Sequence, residues 1–545
     1  MVWSEALKLD NSGWEGLAAS EYPMVRLSES ECAEDVAARL PYSVVEVYTL
    51  IKGITNMASR LLSKSKYLDG LQCLKYLWIL FNEPEKVPAI DVATQYIFDQ
   101  GHLVGELAKK LFPDGIDIHD EDFIANIRRT REVLRLGKPL FEAGIRAGSI
   151  YARADILNPA DENEWDIIEV KSTTSVKDVH IDDVAFQKFC YEKSGLKIRK
   201  CFLTYINNKY VRNGDIDPEQ LLSVEDISAQ VDEASSGIQE RMDVMLDVVT
   251  RAQCPDITIG KHCSDPYGCP LQELCWGFLP ENSVFDLYRG GKKSVELFEN
   301  GVLAIRDIPA DYPLTGKQQI QRRCEMSGEP YIDREEIRNF LRTLEHPLYY
   351  LDFETFSPAV PMFDGTKPYQ KIPFQFSLHV VEQGEVKPKH YSFLAEGMDD
   401  PRPKLLSQLY GVLGDRGTII VYNQAFEKKV LEELGDAFPE YKDWIEGTSA
   451  RIADLLSPFQ SFYYYNSAQK GSASIKKVLP AITGKGYEGM DISDGEDASI
   501  AFQAITYGDV SEEVRSKVRT DLEKYCGLDT EGMIWIIDKL KGLLA

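Results

Sequence analysis

A short charged pattern within an apolar run has the residue types of a metal-dependent phosphodiesterase site. Glu169 and Lys171 lie two positions apart at the end of this run. Alternate residues of a strand share a face, so both would project together while Ile168 and Val170 point into a core. A turn-rich segment follows the strand candidate of Asp155, and a hairpin would bring Asp155 beside Glu169. Two carboxylates can hold a hard divalent cation, and a neighbouring lysine can orient a water or stabilise a pentacovalent phosphate.

The segment after this run predicts a helix with Gln187 and Tyr191 on one face, because they lie four residues apart. An acid, then acid-x-Lys, then Gln-x3-Tyr resembles the RecB-like branch of the PD-(D/E)XK nucleases. The resemblance implies a restriction-endonuclease-like fold and gives Gln187 and Tyr191 supporting roles. It also implies that His102 joins the metal ligands, and it matches Glu142 with an acid before the hairpin. A surface role stays open for His102 and Glu142.

Cysteines lie on both sides of the nuclease motifs in the sequence. The chain has ten cysteines. One precedes the nuclease motifs and three follow them, in the order Cys73, Cys263, Cys269 and Cys275. This arrangement is similar to the iron–sulfur RecB-like nucleases, among them the CRISPR-associated exonucleases of the Cas four group and the AddB nuclease domain. The resemblance implies a 4Fe-4S cluster that ties the two ends of the domain together. Structural zinc and free buried thiols stay open, and Cys254 is a competing ligand. The other cysteines are interpreted as ordinary buried thiols: Cys32, Cys190, Cys201, Cys324 and Cys526.

A second acidic pattern lies in the C-terminal third. Asp352 and Glu354 are two positions apart in an apolar strand candidate and would share one face. Glu427 follows a further strand candidate, where a helix is predicted to begin. Tyr525 and Asp529 have the four-residue spacing of one helical face. Four carboxylates of this kind can hold two divalent ions about 3.5–4 Å apart.

The order D-x-E, N-x2-F-acid and Y-x3-D is similar to the DEDD exonuclease superfamily. The resemblance implies a ribonuclease H-like fold and a 3′–5′ exonuclease that binds Mg²⁺ or Mn²⁺ through Asp352, Glu354, Glu427 and Asp529. Residue 524 is lysine and not histidine, so the tyrosine variant fits better, with Tyr525 orienting the attacking water. Glu427 stands where aspartate is usual. Asp454 matches an accessory position, although a solvated acid or helix cap is an equal interpretation. A degenerate, metal-poor domain is the alternative.

Length and composition allow several folded domains. A chain of 545 residues with 44% apolar and 10% aromatic residues has room for two or three cores. We divide it into an N-terminal region of unknown role (1–60), a RecB-like nuclease with the cluster (61–280), a connector (281–345) and a DEDD exonuclease-like domain (346–545). The predicted class is α/β: a PD-(D/E)XK restriction-endonuclease-like domain plus a ribonuclease H-like 3′–5′ exonuclease domain.

The net charge of −26 opposes long-range attraction of a polyanion. Local basic patches can still follow phosphates. Arg128, Arg131 and Arg135 would align on one helical face, where a solvated face is an equal interpretation. The acidity favours weak non-specific binding, hence a preference for strand ends or a partner protein that delivers substrate.

Together these patterns predict a cytoplasmic metal-dependent nuclease with two sites, acting on nucleic acid and preferably on single-stranded DNA, with no membrane association. A role in DNA repair or in defence against mobile DNA fits such an enzyme. RNA as substrate and the oligomeric state stay open. Two other classes also stay open: a non-catalytic or single-site nucleic-acid-binding protein, and a regulator whose cluster senses redox state. The C-terminal part is also similar to uncharacterised domains that recur behind such nucleases, marked by residues 368–376.

Overall fold

Mixed sheets with helices on their faces form the described part of the chain, so the predicted α/β class is confirmed. The computed structural model describes residues 61–118, 122–161, 163–385 and 387–545. The N-terminal region, including Cys32, lies outside the described residues. Leu62–Ala545 forms a compact unit. The domain boundaries near residues 280 and 345 stay predictions.

The first sheet is built around the segment that carries Glu169. Its strands are β1 (Leu62–Ser63), β2 (Ile116–Asp117), β3 (Leu140–Ala147), β4 (Ile150–Asp161), β5 (Glu164–Lys171), β6 (Lys197–Ile206) and β7 (Leu222–Asp226). They run in the order β2-β3-β4-β5-β6-β7, and β1 pairs in parallel with β4. β4 and β5 form an antiparallel hairpin in which Ile156 lies opposite Ile168, and β5 runs parallel to β6.

Helices cover both faces of this sheet. They are α1 (Lys64–Gln72), α2 (Leu74–Asn82), α3 (Val92–Lys109), α4 (Phe123–Leu134), α5 (Asp178–Lys193), α6 (Pro218–Leu221), α7 (Ser228–Ala234), α8 (Ile238–Thr250) and α9 (Gln272–Trp276). α1 packs on α5 through the stacked rings of Tyr67 and Phe186, whose centroids are 4.6 Å apart. Both rings are fully buried, and this contact fixes α1 over the sheet.

The connector is folded. It contains α10 (Lys292–Glu299), α11 (Gly316–Ser327), β8 (Tyr331–Ile332) and α12 (Arg334–Arg342). A small apolar cluster that includes Val284, Leu297 and Ile305 stabilises it. α11 begins with a capping box of Thr315 and Gln318, which satisfies free backbone donors of the first turn.

The second sheet carries Asp352 on its central strand. The strands of this half are β9 (Leu348–Phe356), β10 (Ile372–Val381), β11 (Lys389–Leu394), β12 (Thr418–Val421), β13 (Ile452–Asp454) and β14 (Tyr464–Tyr465). The sheet order is β11-β10-β9-β12-β13, and β14 pairs with β8. β9 is antiparallel to β10 and parallel to β12. The helices are α13 (Arg402–Val412), α14 (Gln424–Ala437), α15 (Lys442–Ser449), α16 (Ser457–Gln460), α17 (Ile475–Thr483), α18 (Gly495–Tyr507) and α19 (Glu512–Gly542). α19 packs across β9 and β10.

The loop between β9 and β10 joins the two sheets. Its residues Ala359 and Val360 are buried in one apolar cluster with Ile156 and Ile168 of the first sheet. Arg212 adds two backbone hydrogen bonds, from its N–H to the Thr366 carbonyl at 3.0 Å and to its carbonyl from the Gly365 N–H at 2.8 Å. The interface therefore combines apolar burial with satisfied polar groups. Within the described residues, no helix is both long and apolar enough to cross a bilayer.

Candidate functional site

The hairpin of β4 and β5 brings the first predicted acid–lysine set together. Asp155 Oδ2 accepts a hydrogen bond from the Val170 N–H at 2.8 Å. Lys171 Nζ donates to Glu169 Oε1 at 2.7 Å. The Glu169 side chain is only 1% exposed, whereas that of Asp155 is 27% exposed. The pair therefore joins a buried carboxylate to one that faces solvent.

α5 supports this centre from one side. Gln187 Nε2 donates to Glu169 Oε2 at 2.7 Å and to Asp183 Oδ1 at 2.9 Å. Tyr191, one turn further along α5, donates its hydroxyl hydrogen to the Ala143 carbonyl and accepts from the Ala154 N–H. Tyr191 thus fixes α5 to β3 and β4 and does not hydrogen-bond to the carboxylates. Gln187 holds Glu169 directly.

Two residues of this centre were missed from sequence. Lys64, the first residue of α1, donates to Glu169 Oε1 at 2.8 Å, and its Nζ is 3.9 Å from Asp155 Oδ1. Asp183 Oδ2 accepts from Lys171 Nζ at 2.7 Å. Asp183 lies four residues before Gln187, so the helical spacing could have identified it. Lys64 reaches the centre because β1 pairs with β4, a long-range contact that no local pattern reveals.

The first centre is largely neutralised by its own lysines. Burial alone would lower the pKa of Lys64 and Lys171, but the carboxylates of Asp183, Glu169 and Asp155 raise both. Burial would raise the pKa of Asp183, yet Lys64 and Lys171 hold it well below 3.8. Burial, together with the charges of Asp155 and Asp183, raises the pKa of Glu169. Three acids and two lysines leave a formal charge near −1 when all are ionised.

Two other residues predicted for this centre, His102 and Glu142, form no hydrogen bond or ion pair with Asp155, Glu169 or Lys171 within the described part of the chain. His102 is exposed on α3, and no hydrogen bond or ion pair within residues 61–118 and 122–161 links it to Asp155. Its assignment as a ligand stays a prediction. Glu142 has a left-handed φ of 57° and pairs with Arg153 Nε at 2.9 Å. Of the predicted basic face, Arg128 and Arg131 lie on α4 and Arg135 directly follows it, and all three are exposed.

The four predicted cluster cysteines line one cavity. It has a volume of about 20 Å³, and its lining includes Cys73, Cys263, Cys269 and Cys275. Burial raises the pKa of Cys73 and Cys269, and the neighbouring cysteines of the set raise it further. Gln72, next to Cys73, donates its side-chain N–H groups to the carbonyls of His262 at 2.8 Å and Tyr267 at 2.7 Å. Gln72 therefore fastens the later cysteine loop to the end of α1.

The distances between the four cysteine sulfurs can be compared with those expected around a single zinc ion. A zinc ion with bonds of about 2.3 Å to four thiolates brings the sulfurs to within about 3.8 Å of one another. In the described chain, no three of the four sulfurs lie within 4.8 Å of one another. The sulfurs of the metal-free protein are therefore spaced more widely than the four ligands of one bound zinc ion. Cys254 packs beside Cys269 and Cys275 but does not line the cavity.

The second centre lies between β9, α14 and α19. Asp352 and Glu354 project from one face of β9 toward Cys526 of α19. One carboxylate oxygen of each and Cys526 Sγ lie within 4.8 Å of one another. Cys526 Sγ is 3.5 Å from Asp352 Oδ2. Cys526 is a buried free thiol, as predicted and as Cys190, Cys201 and Cys324 are. Its contact with Asp352 was not predicted.

Glu427 and Asp529 complete this centre. Glu427 lies in the first turn of α14, is 1% exposed, and its buried Oε2 has no hydrogen-bond partner. Asp529 accepts a hydrogen bond from the Tyr487 hydroxyl, and Tyr487 was not identified from sequence. The predicted Tyr525 is buried, and its ring centroid lies 6.1 Å from that of Tyr487. Lys476 Nζ is 5.2 Å from the Tyr525 ring centroid.

Asp454 shapes the backbone at the start of α14. Its Oδ1 accepts hydrogen bonds from the N–H groups of Asn423 and Leu456, both at 3.0 Å. Asn423 has a left-handed φ of 82°, which costs free energy for a residue with a side chain. Asp454 therefore acts as a cap at the turn from which α14 presents Glu427.

The acids of the second centre are poorly compensated. Burial raises the pKa of Asp352 and Glu354 well above their usual range. Burial and the charge of Asp352 raise the pKa of Glu427 to about 9, and burial raises that of Asp529 to about 6. Lys476 lowers the pKa of three of these acids. Lys371 lowers that of Glu427. Four acids and two lysines would leave a formal charge near −2 if all were ionised, which favours binding of cations.

Comparison with known proteins gives similarities along parts of the chain. A family described as a domain of unknown function (DUF2779) matches residues 349–474. Uncharacterized protein MG366 of Mycoplasma genitalium is 25% identical over 232 residues, which covers 38% of this chain and 34% of that protein. The MG366 homolog of Mycoplasma pneumoniae is 26% identical over 220 residues, which covers 37% of this chain and 33% of that protein. The chain thus spans about a third of the length of these relatives. A solved structure titled "Crystal structure of SSO0001" covers 44% of this chain and 98% of its own at 13% identity, with a TM-score of 0.20. None of these names states an activity.

Proposed function

We propose that this protein is a metal-dependent nuclease with two phosphodiesterase centres that acts on nucleic acid, preferably single-stranded DNA. The observation that carries the proposal is the convergence of four carboxylates from three distant segments. Glu354, Glu427 and Asp529 are buried and Asp352 is half-buried, and only part of their charge is offset by Lys476 and Lys371. Such a centre is costly to fold unless cations bind it. Two-metal hydrolysis of phosphodiesters uses carboxylates held in this way.

The topology of each sheet supports the corresponding fold proposal. The sheet of β9 to β13 has its acid-bearing strand at the centre, antiparallel to one neighbour and parallel to the other. This supports a ribonuclease H-like fold. In the other half, an antiparallel hairpin carries the acids and a helix returns Gln187 to them. This supports the RecB-like PD-(D/E)XK fold.

In the first centre, Asp155 and Glu169 would hold Mg²⁺ or Mn²⁺. Gln187 Oε1 is buried without a partner beside these acids, an orphaned acceptor that fits a further bound group. The ion would supply charge neutralisation and a water of lowered pKa. Lys171, whose ammonium group is held between Glu169 and Asp183, would position the attacked phosphate. Lys64 adds a second positive charge on the Glu169 side.

In the second centre, Asp352, Glu354, Glu427 and Asp529 would hold the ions. The unpartnered Glu427 Oε2 is the observation that fits a missing ligand. Bound ions would supply an activated water and stabilise the leaving oxygen. Tyr525 stays protonated because burial raises its pKa far above 10, so its hydroxyl can donate a hydrogen bond to the attacking water.

The cysteine cavity would hold a 4Fe-4S cluster, whose role there is to cross-link distant segments. α1 carries Lys64 at its first turn, and Cys73 follows its last residue. The cluster would therefore also fix the helix that places Lys64 in the first centre.

Replacing Cys269 with serine is expected to remove the brown absorbance near 400 nm and the bound iron, because one of four thiolates is lost. Cys254→Ser is the matched control, since Cys254 lies in the same apolar cluster but outside the cavity. It should keep both signals. The measurement is iron content and the visible spectrum of anaerobically purified protein. Equal losses in both variants, or stoichiometric zinc without iron in the wild type, would contradict the cluster.

The function is tested by degradation of single-stranded DNA and RNA labelled separately at the 5′ and 3′ ends, with Mg²⁺ or Mn²⁺. Wild-type protein should shorten the strands. Lys171→Ala and Asp352→Ala should each remove a different polarity or substrate by about a hundredfold or more, since each removes a charge at one centre. If Lys171→Ala alone removes all activity, the C-terminal half binds substrate without cleaving it. If the wild type binds nucleic acid but never cleaves it, the remaining interpretations are a nucleic-acid-binding protein and a cluster-dependent regulator.

A further inference from the structure

A polar cleft of about 810 Å³ runs along the junction of the two halves. One wall is the loop after β5, from Ser172 to Lys177. The second is the loop before β10, from Gly365 to Gln370. The third is the outer face of α14, including Lys429. None of these residues belongs to the two carboxylate centres.

The ends of the cleft adjoin both centres. Ser172 directly follows Lys171, whose ammonium group contacts Glu169. At the other side, Lys371 follows the lining residue Gln370. Its Nζ lies 4.1 Å from the Phe426 ring centroid, one residue before Glu427, and its charge lowers the pKa of Glu427. Two walls of the cleft are therefore continuous along the chain with residues that act on the two centres.

One hydrogen bond joins two walls of the cleft, and others hold the individual walls. The hydroxyls of Ser172 and Tyr369 are 3.0 Å apart. The Tyr369 carbonyl accepts from Ser357 Oγ at 2.7 Å, and Thr173 Oγ1 donates to the Ser175 carbonyl at 3.1 Å. Such a preformed groove loses little conformational entropy when it binds an extended chain.

The charge of the cleft differs from that of the whole protein. The lining includes three lysines and two acids, a formal charge of +1, on a chain of net charge −26. Lys429 is already paired with Glu432 and Glu433. Lys177 and Lys367 are exposed. Four consecutive hydroxyl side chains begin at Ser172 and can bond to phosphate oxygens, as such side chains do at nucleic-acid interfaces.

We propose that this cleft binds a single strand of nucleic acid whose backbone extends between the two centres, with Lys177 and Lys367 contacting phosphates. This inference rests on the proposed function and names the path of its substrate. The cleft volume is that of a pocket for a small ligand, roughly 300–1,000 Å³, so it accommodates a short stretch of one strand and not a duplex. Positive grooves that follow the backbone bind single strands with little sequence preference.

The test is binding of fluorescent oligothymidine and of a matched duplex to the full-length protein without divalent metal, read by fluorescence anisotropy over a series of salt concentrations. The Lys177→Glu/Lys367→Glu variant is compared with Lys404→Glu/Lys539→Glu, which changes the net charge equally at exposed lysines outside the cleft. The cleft variant is expected to bind the single strand about tenfold or more weakly and to lower the salt slope by about 2, one for each lost phosphate contact. The control should differ little from wild type.

The possible results distinguish the proposed single-strand path in the cleft from the proposed nuclease function. Equal affinity and salt slope in the two double variants would overturn the path, and cleavage by the wild type would then leave the nuclease proposal standing. An equal loss for single strand and duplex would overturn the single-strand assignment. Selective loss of single-strand affinity in a protein that never cleaves would support the cleft while the nuclease proposal fails. A wild type that neither binds nor cleaves would overturn both.

Discussion

The metal-free Glu427→Gln variant is expected to be more stable than wild type at pH 8 and nearly equal to it at about pH 5. Burial and Asp352 raise the pKa of Glu427 from 4.5 to about 9 in the folded protein. The folded state therefore binds more protons than the unfolded state between these values, and stability falls as pH rises through this window. The amide cannot ionise, so it removes this penalty. At pH 8 the gain is on the order of 5 kcal/mol.

Calorimetry of chelator-treated protein across this pH range measures the effect. Glu432→Gln is the matched control, because Glu432 lies on the same helix but is 63% exposed, and its melting temperature should stay within experimental error of wild type. Mn²⁺ should raise the melting temperature of wild type more than that of Glu427→Gln, since a ligand that binds the folded state stabilises it. A Glu427→Gln variant that is less stable than wild type at pH 8 would show that its carboxylate is compensated.

The sequence could predict those parts of the sites that follow local periodicity. The strand spacing of Glu169 and Lys171 and the helical spacing of Gln187 and Tyr191 each place a pair of side chains on one face, and the turn residues before β5 predict the hairpin that brings in Asp155. Local rules of this kind need only neighbours in sequence.

Contacts between distant segments could not be predicted in this way. Lys64 lies 105 positions from Glu169, and only the pairing of β1 with β4 brings it there. Cys526 was visible next to Tyr525, but its contact with Asp352 depends on how α19 packs across β9. The junction made by Ala359 and Val360 likewise follows from tertiary packing, because an apolar pair in a loop has no local signature.

The two centres offset the charge of their buried carboxylates in different ways. In the first, Lys64 and Lys171 donate directly to Glu169, and Lys171 also donates to Asp183. The two lysines hold the pKa of Asp183 below its usual range, whereas burial still raises that of Glu169. In the second, Lys476 and Lys371 act at longer range, and burial raises the pKa of all four acids. Stability of the first centre should therefore depend little on metal, whereas that of the second should depend on it strongly.

Replacing Asp183 with asparagine is expected to destabilise the protein by about 3–5 kcal/mol, the typical cost of breaking a buried ion pair by removing one partner. Asp183 is 3% exposed and accepts from Lys171 at 2.7 Å. Its loss leaves Lys64 and Lys171 with Glu169 as their main buried partner. Because the pKa of Asp183 is held below 3.8, its stabilisation is fully present above that unfolded value and is lost only as pH falls below it.

The deficit of Asp183→Asn should therefore stay constant between about pH 5 and 8, the interval over which the gain of Glu427→Gln grows. The same calorimetric series measures both variants. Asp232→Asn is the control: it breaks the ion pair of Lys188 with an acid that is 62% exposed, and should cost about 0–1 kcal/mol. A deficit no larger than that of Asp232→Asn, or one that changes steeply across this interval, would contradict the assignment of Asp183 as the ionised partner of the two lysines. A constant deficit would identify the first centre as one whose charges are balanced by the chain itself, so that its metal serves chemistry and not folding.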